Sequence, residues 1–364
     1  MTSVRPIILL AAVCLSDFAQ SFPLQLEMRV PFEPTAFPSG GQSYLLYELH
    51  LTNFQTTPLT VSRIDVLDAD APSHPVATFE SDRLAAMLQP LGGKKISDPK
   101  EKLTIGDGQT TIVYLSVSFD RDVRVPERLI HRVTAGEASL EGAIIRAHHT
   151  ALHVLGPPLE GAGWLASDGP GNDPDNHHRR GVVILDGRAV DSRRYAIDWK
   201  LLRNGEAYSG DAKNVHSYFC YGRRVLAVAG GVVVVARDGL PDNIPGHGDA
   251  FHPAVPITLE TIAGNYIVLD LGGGQYAYYL HLQLGSLHVN AGDRVRRGQV
   301  LAVIGASGDA HEPHLHFEVT TSAKPLAGEG VPYVIDRYRS NSEDRTRELP
   351  LDKSVVEFAD KRER

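Results

Sequence analysis

The 364-residue chain is 42% hydrophobic and 22% charged, a globular composition that excludes a disordered, collagenous or coiled-coil polypeptide. Thirty-six basic against 44 acidic residues leave a net charge of -8, which argues against nucleic acid or an anionic lipid surface as the main partner. Thirty-four glycines and 23 prolines against three methionines favour many short strands and turns, and the length suits two domains.

At the N-terminus, Arg5 precedes the apolar run Ile7 to Leu15, and the small residues Ala19 and Ser21 lie just before Phe22. This pattern predicts a secretory signal peptide over residues 1–21. The run is nine residues long, and a bilayer span needs about twenty. A mature chain without a membrane span, secreted or periplasmic, is therefore expected. Loss of Cys14 with this leader leaves Cys220 alone, so no intrachain disulfide is expected and stability must come from core burial.

Residues 22–155 alternate in short apolar runs, among them QSYLLYELHLT, PLTVSRIDVLD and TTIVYLSVSF. Period two with Gly, Pro, Asp and Asn between the runs predicts antiparallel strands arranged as a β-sandwich-like accessory domain, with a short helix over Ser81 to Gln89. His148, His149 and His153 read as structural residues. Residues 156–176 are dense in Pro, Gly and Asp and read as a linker, with Trp164 as an anchor. Strand rhythm resumes over residues 177–340, interrupted by a long loop from Gly239 to Pro256 that is suited to walling a groove. Residues 341–364 hold seven acids and six bases and read as a charged, solvated tail or a short peripheral helix. The fold class expected is mostly β.

One constellation carries chemistry. In Pro313-His314-Leu315-His316-Phe317-Glu318-Val319, a strand sets Leu315, Phe317 and Val319 on a core face and His314, His316 and Glu318 on the other. Tyr279-Leu280-His281 offers a third imidazole from a neighbouring strand. Asp198, in Tyr195-Ala196-Ile197-Asp198-Trp199, is a carboxylate amid apolar groups, which needs a metal, a cation such as Arg193 or Arg194, or several donors.

The order Tyr279-Leu280-His281, then Gly292-Asp293-x-Val295-x-x-Gly298-Gln299, then Gly305-x-Ser307-Gly308, then Pro313-His314-Leu315-His316-Phe317 closely resembles the lysostaphin and LytM type of zinc metallopeptidase. The likeness runs from about Asn176 to Tyr338 and takes in Tyr221-Gly222 through Val233. It implies a duplicated hybrid motif fold, an antiparallel sheet forming a narrow groove, and a zinc endopeptidase that cuts peptide cross-bridges or stems of bacterial peptidoglycan. It also implies zinc as cofactor, with Asp198 and His316 as ligands, and His281 and His314 as catalytic groups that orient water and stabilise an oxyanion.

The family's first ligand is a histidine four residues before the aspartate, and here that position is Arg194. A guanidinium has no lone pair for a metal. Two alternatives follow. His177, His178 or His216 replaces the missing ligand, with His177 and His178 favoured because their segment leads toward Asp198. Otherwise Arg194 takes the cation's place beside Asp198, and the chain is an inactive relative that binds peptidoglycan or regulates a cell-wall hydrolase. A lipoyl- or biotinyl-like carrier would share the Gly-Asp-x-Val turns but needs a lysine where Arg296 and Arg297 stand.

Overall fold

The computed structural model describes residues 23–92, 96, 98–149 and 151–359. The expected signal peptide lies outside the described residues. Among those described, no helix is long and apolar enough to cross a membrane. The chain is mostly β, and nearly all of its strand pairs are antiparallel.

The N-terminal part consists of two five-stranded sheets. One contains Leu26–Arg29, Gln42–Asn53, Thr110–Asp120 and Leu88–Pro90, and the other Ala138–Arg146, Arg128–Ala135, Leu59–Asp68 and Pro75–Glu80. Strand alternation turns Leu45, Tyr47, Leu49 and Leu51 of the first sheet into one cluster with Val61, Ile64 and Val66 of the second. The predicted helix forms over Ser81–Met87 and buries Leu84, Ala85 and Met87 against these sheets. The opposite face of Gln42–Asn53 carries Leu46, Glu48 and His50, and these are buried too. Leu46 belongs to the core of the second half of the chain, so this strand is covered on both faces.

The second half is organised by an eleven-stranded sheet. Its centre runs Gly161–Ser167, Ile197–Leu201, Leu315–Thr320, Gln275–Leu282, Asn265–Gly272 and Gly231–Arg237. Trp164, Trp199, Tyr279 and Phe317 fill the cluster beneath it. Two sequence expectations are corrected here. The stretch expected as a linker contains the strand Gly161–Ser167, which pairs with Ile197–Leu201 because Trp164 and Ala166 supply a buried face despite the surrounding glycines. The stretch expected as a solvated tail forms Glu343–Glu348 and Val355–Phe358, which pair into the same sheet. Val356 and Phe358 alternate into the core while Glu357 between them faces water.

Candidate active site

The strand ladder sets the first pair of polar groups opposite each other. Ile197–Leu201 runs antiparallel to Leu315–Thr320 with Asp198 in register with His316, and His316 is in turn opposite Leu280 of Gln275–Leu282. Leu315, Phe317 and Val319 enter the core, so His316 and Glu318 project into a groove of 490 Å³ that His281 and His314 also line. All four site residues expected from sequence, Asp198, His281, His314 and His316, are gathered there.

His281 reaches the groove by a device that alternation does not provide. Tyr279, two residues earlier, is in the core, and regular pleating would send His281 the same way. A left-handed backbone at His281, φ +63°, redirects it. Its Nδ1 then donates to the Ser307 carbonyl at 2.8 Å. Gly308 permits this approach, since a Cβ there would stand 2.3 Å from the Gly264 nitrogen and its own φ is +71°.

The imidazoles are locked in matching tautomers. His178 Nδ1 donates to the Asp168 carbonyl at 2.9 Å, and His314 Nδ1 to the Glu312 carbonyl at 2.8 Å. A carbonyl only accepts, so Nδ1 carries the proton and Nε2 keeps a lone pair. Those Nε2 atoms of His178 and His314 each face Asp198 Oδ1 at 3.4 Å. His177 repeats the pattern with Nδ1 3.0 Å from the Asp168 carboxylate and Nε2 3.7 Å from Asp198 Oδ2. Burial keeps His178 and His281 well below the usual imidazole range, hence neutral. For His316, burial opposes protonation, yet its hydrogen bond to Asp198 Oδ1 at 2.9 Å and the neighbouring Glu318 raise it to about 9.

This donor set fits a divalent cation. Lone pairs of His178 Nε2 and Asp198 Oδ1 facing each other at 3.4 Å repel unless a positive charge lies near, and ligand atoms of His177, His178 and Asp198 all lie within 4.8 Å of one another. His316 Nε2 and Glu318 Oε2 are buried without a hydrogen-bond partner. Imidazoles that donate their second ring N–H to a carbonyl or carboxylate are the arrangement that metal-binding histidines adopt.

Arg194 does not stand beside Asp198. It lies in the 3-10 turn Ser192–Tyr195 ahead of the strand, and its guanidinium, 3% exposed, bonds both oxygens of Glu48, Glu329 Oε2 at 2.8 Å and the Gly330 carbonyl at 3.1 Å. Neither Arg193 nor Arg194 pairs with Asp198 among the described residues, and the partners of that carboxylate are imidazoles. The observation that favoured an inactive relative therefore has another cause. Of the replacement histidines, His177 and His178 adjoin Asp198, whereas His216 is exposed against the Tyr221 ring, outside the groove.

Sequence reasoning missed Asp168, Lys200 and Glu312. Asp168 directly follows a strand hidden in the expected linker, and Lys200 pairs with Glu312 at 2.6 Å on the groove wall. The long loop contributes His247 to the groove, and its Asn243 is tied to the Gly308 and Ala310 carbonyls at 2.7 and 3.0 Å.

Residues 215–327 match the profile of peptidase family M23. The peptidoglycan DD-endopeptidase ShyA of Vibrio cholerae is 25% identical over 225 residues, 60% of this chain and 46% of the relative. The peptidoglycan DD-endopeptidase ShyB of the same organism is 34% identical over 86 residues, 24% of this chain and 20% of the relative. The chain thus spans less than half the length of either. The catalytic domain of lysostaphin from Staphylococcus simulans aligns at 21% identity and a TM-score of 0.24 over 41% of this chain and 80% of that one. The matched span holds His281, His314 and His316 but ends short of Asp198, His177 and His178, the stretch where the usual spacing is broken. Over residues 215–327 the chain is thus similar to peptidase family M23.

Proposed function

We propose that the chain is a secreted or periplasmic zinc-dependent endopeptidase acting on peptide cross-bridges or stems of bacterial peptidoglycan. The observation that carries this reading is the His178 Nε2 lone pair aimed at Asp198, with Arg194 engaged elsewhere. His178, Asp198 and His316 would hold the metal, which satisfies the three protein ligands that a catalytic zinc site requires. When bound, zinc supplies Lewis acidity, acidifying water and polarising a peptide carbonyl.

The remaining steps belong to the chain. His281 stays neutral because it is buried, and its Nε2 accepts a proton during attack on the peptide. His314, its ring 4.8 Å from that of His281, offers its Nε2 lone pair to orient the attacking water, and the proton taken up at His281 Nε2 passes to the leaving amine. The groove walls exclude bulk water and align an extended peptide. Digestion of purified peptidoglycan with and without a chelator, followed by mass spectrometry of the released peptides, tests the reading. New amino termini that vanish with the chelator support it, and an unchanged substrate overturns it. Intact-mass analysis of exported protein tests the leader, with a chain beginning near Phe22 expected.

A further inference from the structure

The groups at the groove are held under unequal constraints. Asp198 and His316 sit in a central ladder that fixes both backbones. His177 and His178 ride on a turn over residues 176–181, shaped by Arg179 N donating to Asn176 Oδ1 at 2.8 Å and Gly181 N donating to the His178 carbonyl at 3.0 Å. Those bonds give the turn its shape, and His178 Nδ1 and Asn176 Nδ2 tie it to the Asp168 and Gly169 carbonyls just past the sheet strand Gly161–Ser167.

Much of its anchorage comes from the N-terminal sheets. Arg179, next to His178, is 1% exposed and pairs through Nη1 with Glu48. Its Nη2 donates to the carbonyls of Tyr47 at 2.8 Å and Leu115 at 3.2 Å, two residues in register across the ladder. Arg180 continues the attachment, donating to the Ala86 carbonyl at 3.1 Å with its guanidinium over the Tyr114 ring. Glu48 also receives Arg194, from the position where the usual zinc histidine is missing. One carboxylate, 3% exposed, thus holds the segment that lost a ligand and the segment that brings the replacement. Neutralising it would leave buried Arg179 with only Asp191, 3.9 Å away, while Arg194 keeps Glu329, and the weakened hold on Arg179 would let residues 178–180 shift out of place.

We infer that Glu48 is a positioning residue for the metal site: through Arg179 it holds His178 against Asp198, so that the N-terminal sheets complete a site whose other ligands lie in the large sheet. The inference rests on the metal site proposed above. Its test is the zinc dissociation constant of the full chain, from competition with a chromophoric chelator, beside the melting temperature of the metal-free protein. Glu48→Gln is expected to weaken zinc by about tenfold or more, as loss of groups supporting metal ligands does. Glu329→Gln, which removes a carboxylate from Arg194 and none from Arg179, is expected to lower the melting temperature while changing zinc affinity less than about twofold, within the scatter of such second-shell effects. If Glu48→Gln does not fold, Arg179→Lys makes the same comparison, since it keeps the charge but loses the guanidinium fork that reaches Glu48 and both carbonyls. Unchanged affinity in a folded Glu48→Gln or Arg179→Lys protein overturns the inference, as does an equal loss in Glu329→Gln. A wild-type chain that binds no zinc overturns the metal site itself, a separate result.

Discussion

Replacing Arg194 by methionine keeps the side-chain length and removes the charge. It deletes the bonds to both oxygens of Glu48, to Glu329 and to the Gly330 carbonyl, at a site where Arg194 and Glu48 are each 3% exposed. Removing one partner of a buried ion pair typically costs about 3–5 kcal/mol, because the other charge is left desolvated. Glu48 retains Arg179, which sets the cost at the lower end, about 3 kcal/mol. Glu329, 15% exposed and raised by burial, adds little because it can take up water or a proton. Urea denaturation measures the loss as the midpoint change multiplied by a constant slope. A loss under about 1 kcal/mol, the value of exposed pairs, would refute the claim that this arginine is a desolvated bridge to the N-terminal sheets. Arg194→His is expected to cost as much and to leave the zinc content unchanged, because position 194 faces away from Asp198.

Burial alone would raise Glu48, but Arg194 and Arg179 lower it from 4.5 to about 2. The folded chain then binds this proton less readily than the unfolded one, a contribution of about 3 kcal/mol that is complete above about pH 4.5 and lost as pH falls toward 2. Denaturation of Glu48→Gln and wild type across that window should show the wild-type advantage shrinking with acid, and a constant gap would contradict the ion pair. His281→Ala and His314→Ala should each lower peptidoglycan turnover by about 10² or more with zinc retained, whereas Asp198→Ala and His316→Ala should lose zinc as well, read by elemental analysis beside the digestion assay. Cys220 is buried, which pushes its thiol up to about 12, so a thiol reagent at pH 8 should label it only after denaturation.

What the sequence made legible was local. The alternation Leu315, Phe317, Val319 against His316 and Glu318 follows from strand geometry, and the ladder adds only which residues lie opposite. Asp198 stands out as a lone acid in an apolar strand. His281 could be named but not aimed, since its direction depends on one left-handed residue held by the contact of Gly308 with Gly264. The linker and the tail depart from expectation because Gly161–Ser167 is glycine-rich and Val355–Phe358 is only four residues long within a charged stretch, and pairing with strands already present makes both into strands. Arg194 was the hardest case. A charged side chain at a ligand position suggests a cation in the groove, and its true partner, Glu48, lies 146 residues earlier on a strand of the N-terminal sheets.

Zinc stoichiometry of the purified full chain, measured after gel filtration for wild type and His178→Ala, tests most directly the claim that the loop histidine replaces the ligand missing at position 194. The account predicts about one zinc per wild-type chain and its loss in His178→Ala, as expected when one of three protein ligands is removed. Wild-type protein without zinc after incubation with excess metal, or a His178→Ala protein that retains it, would contradict the account.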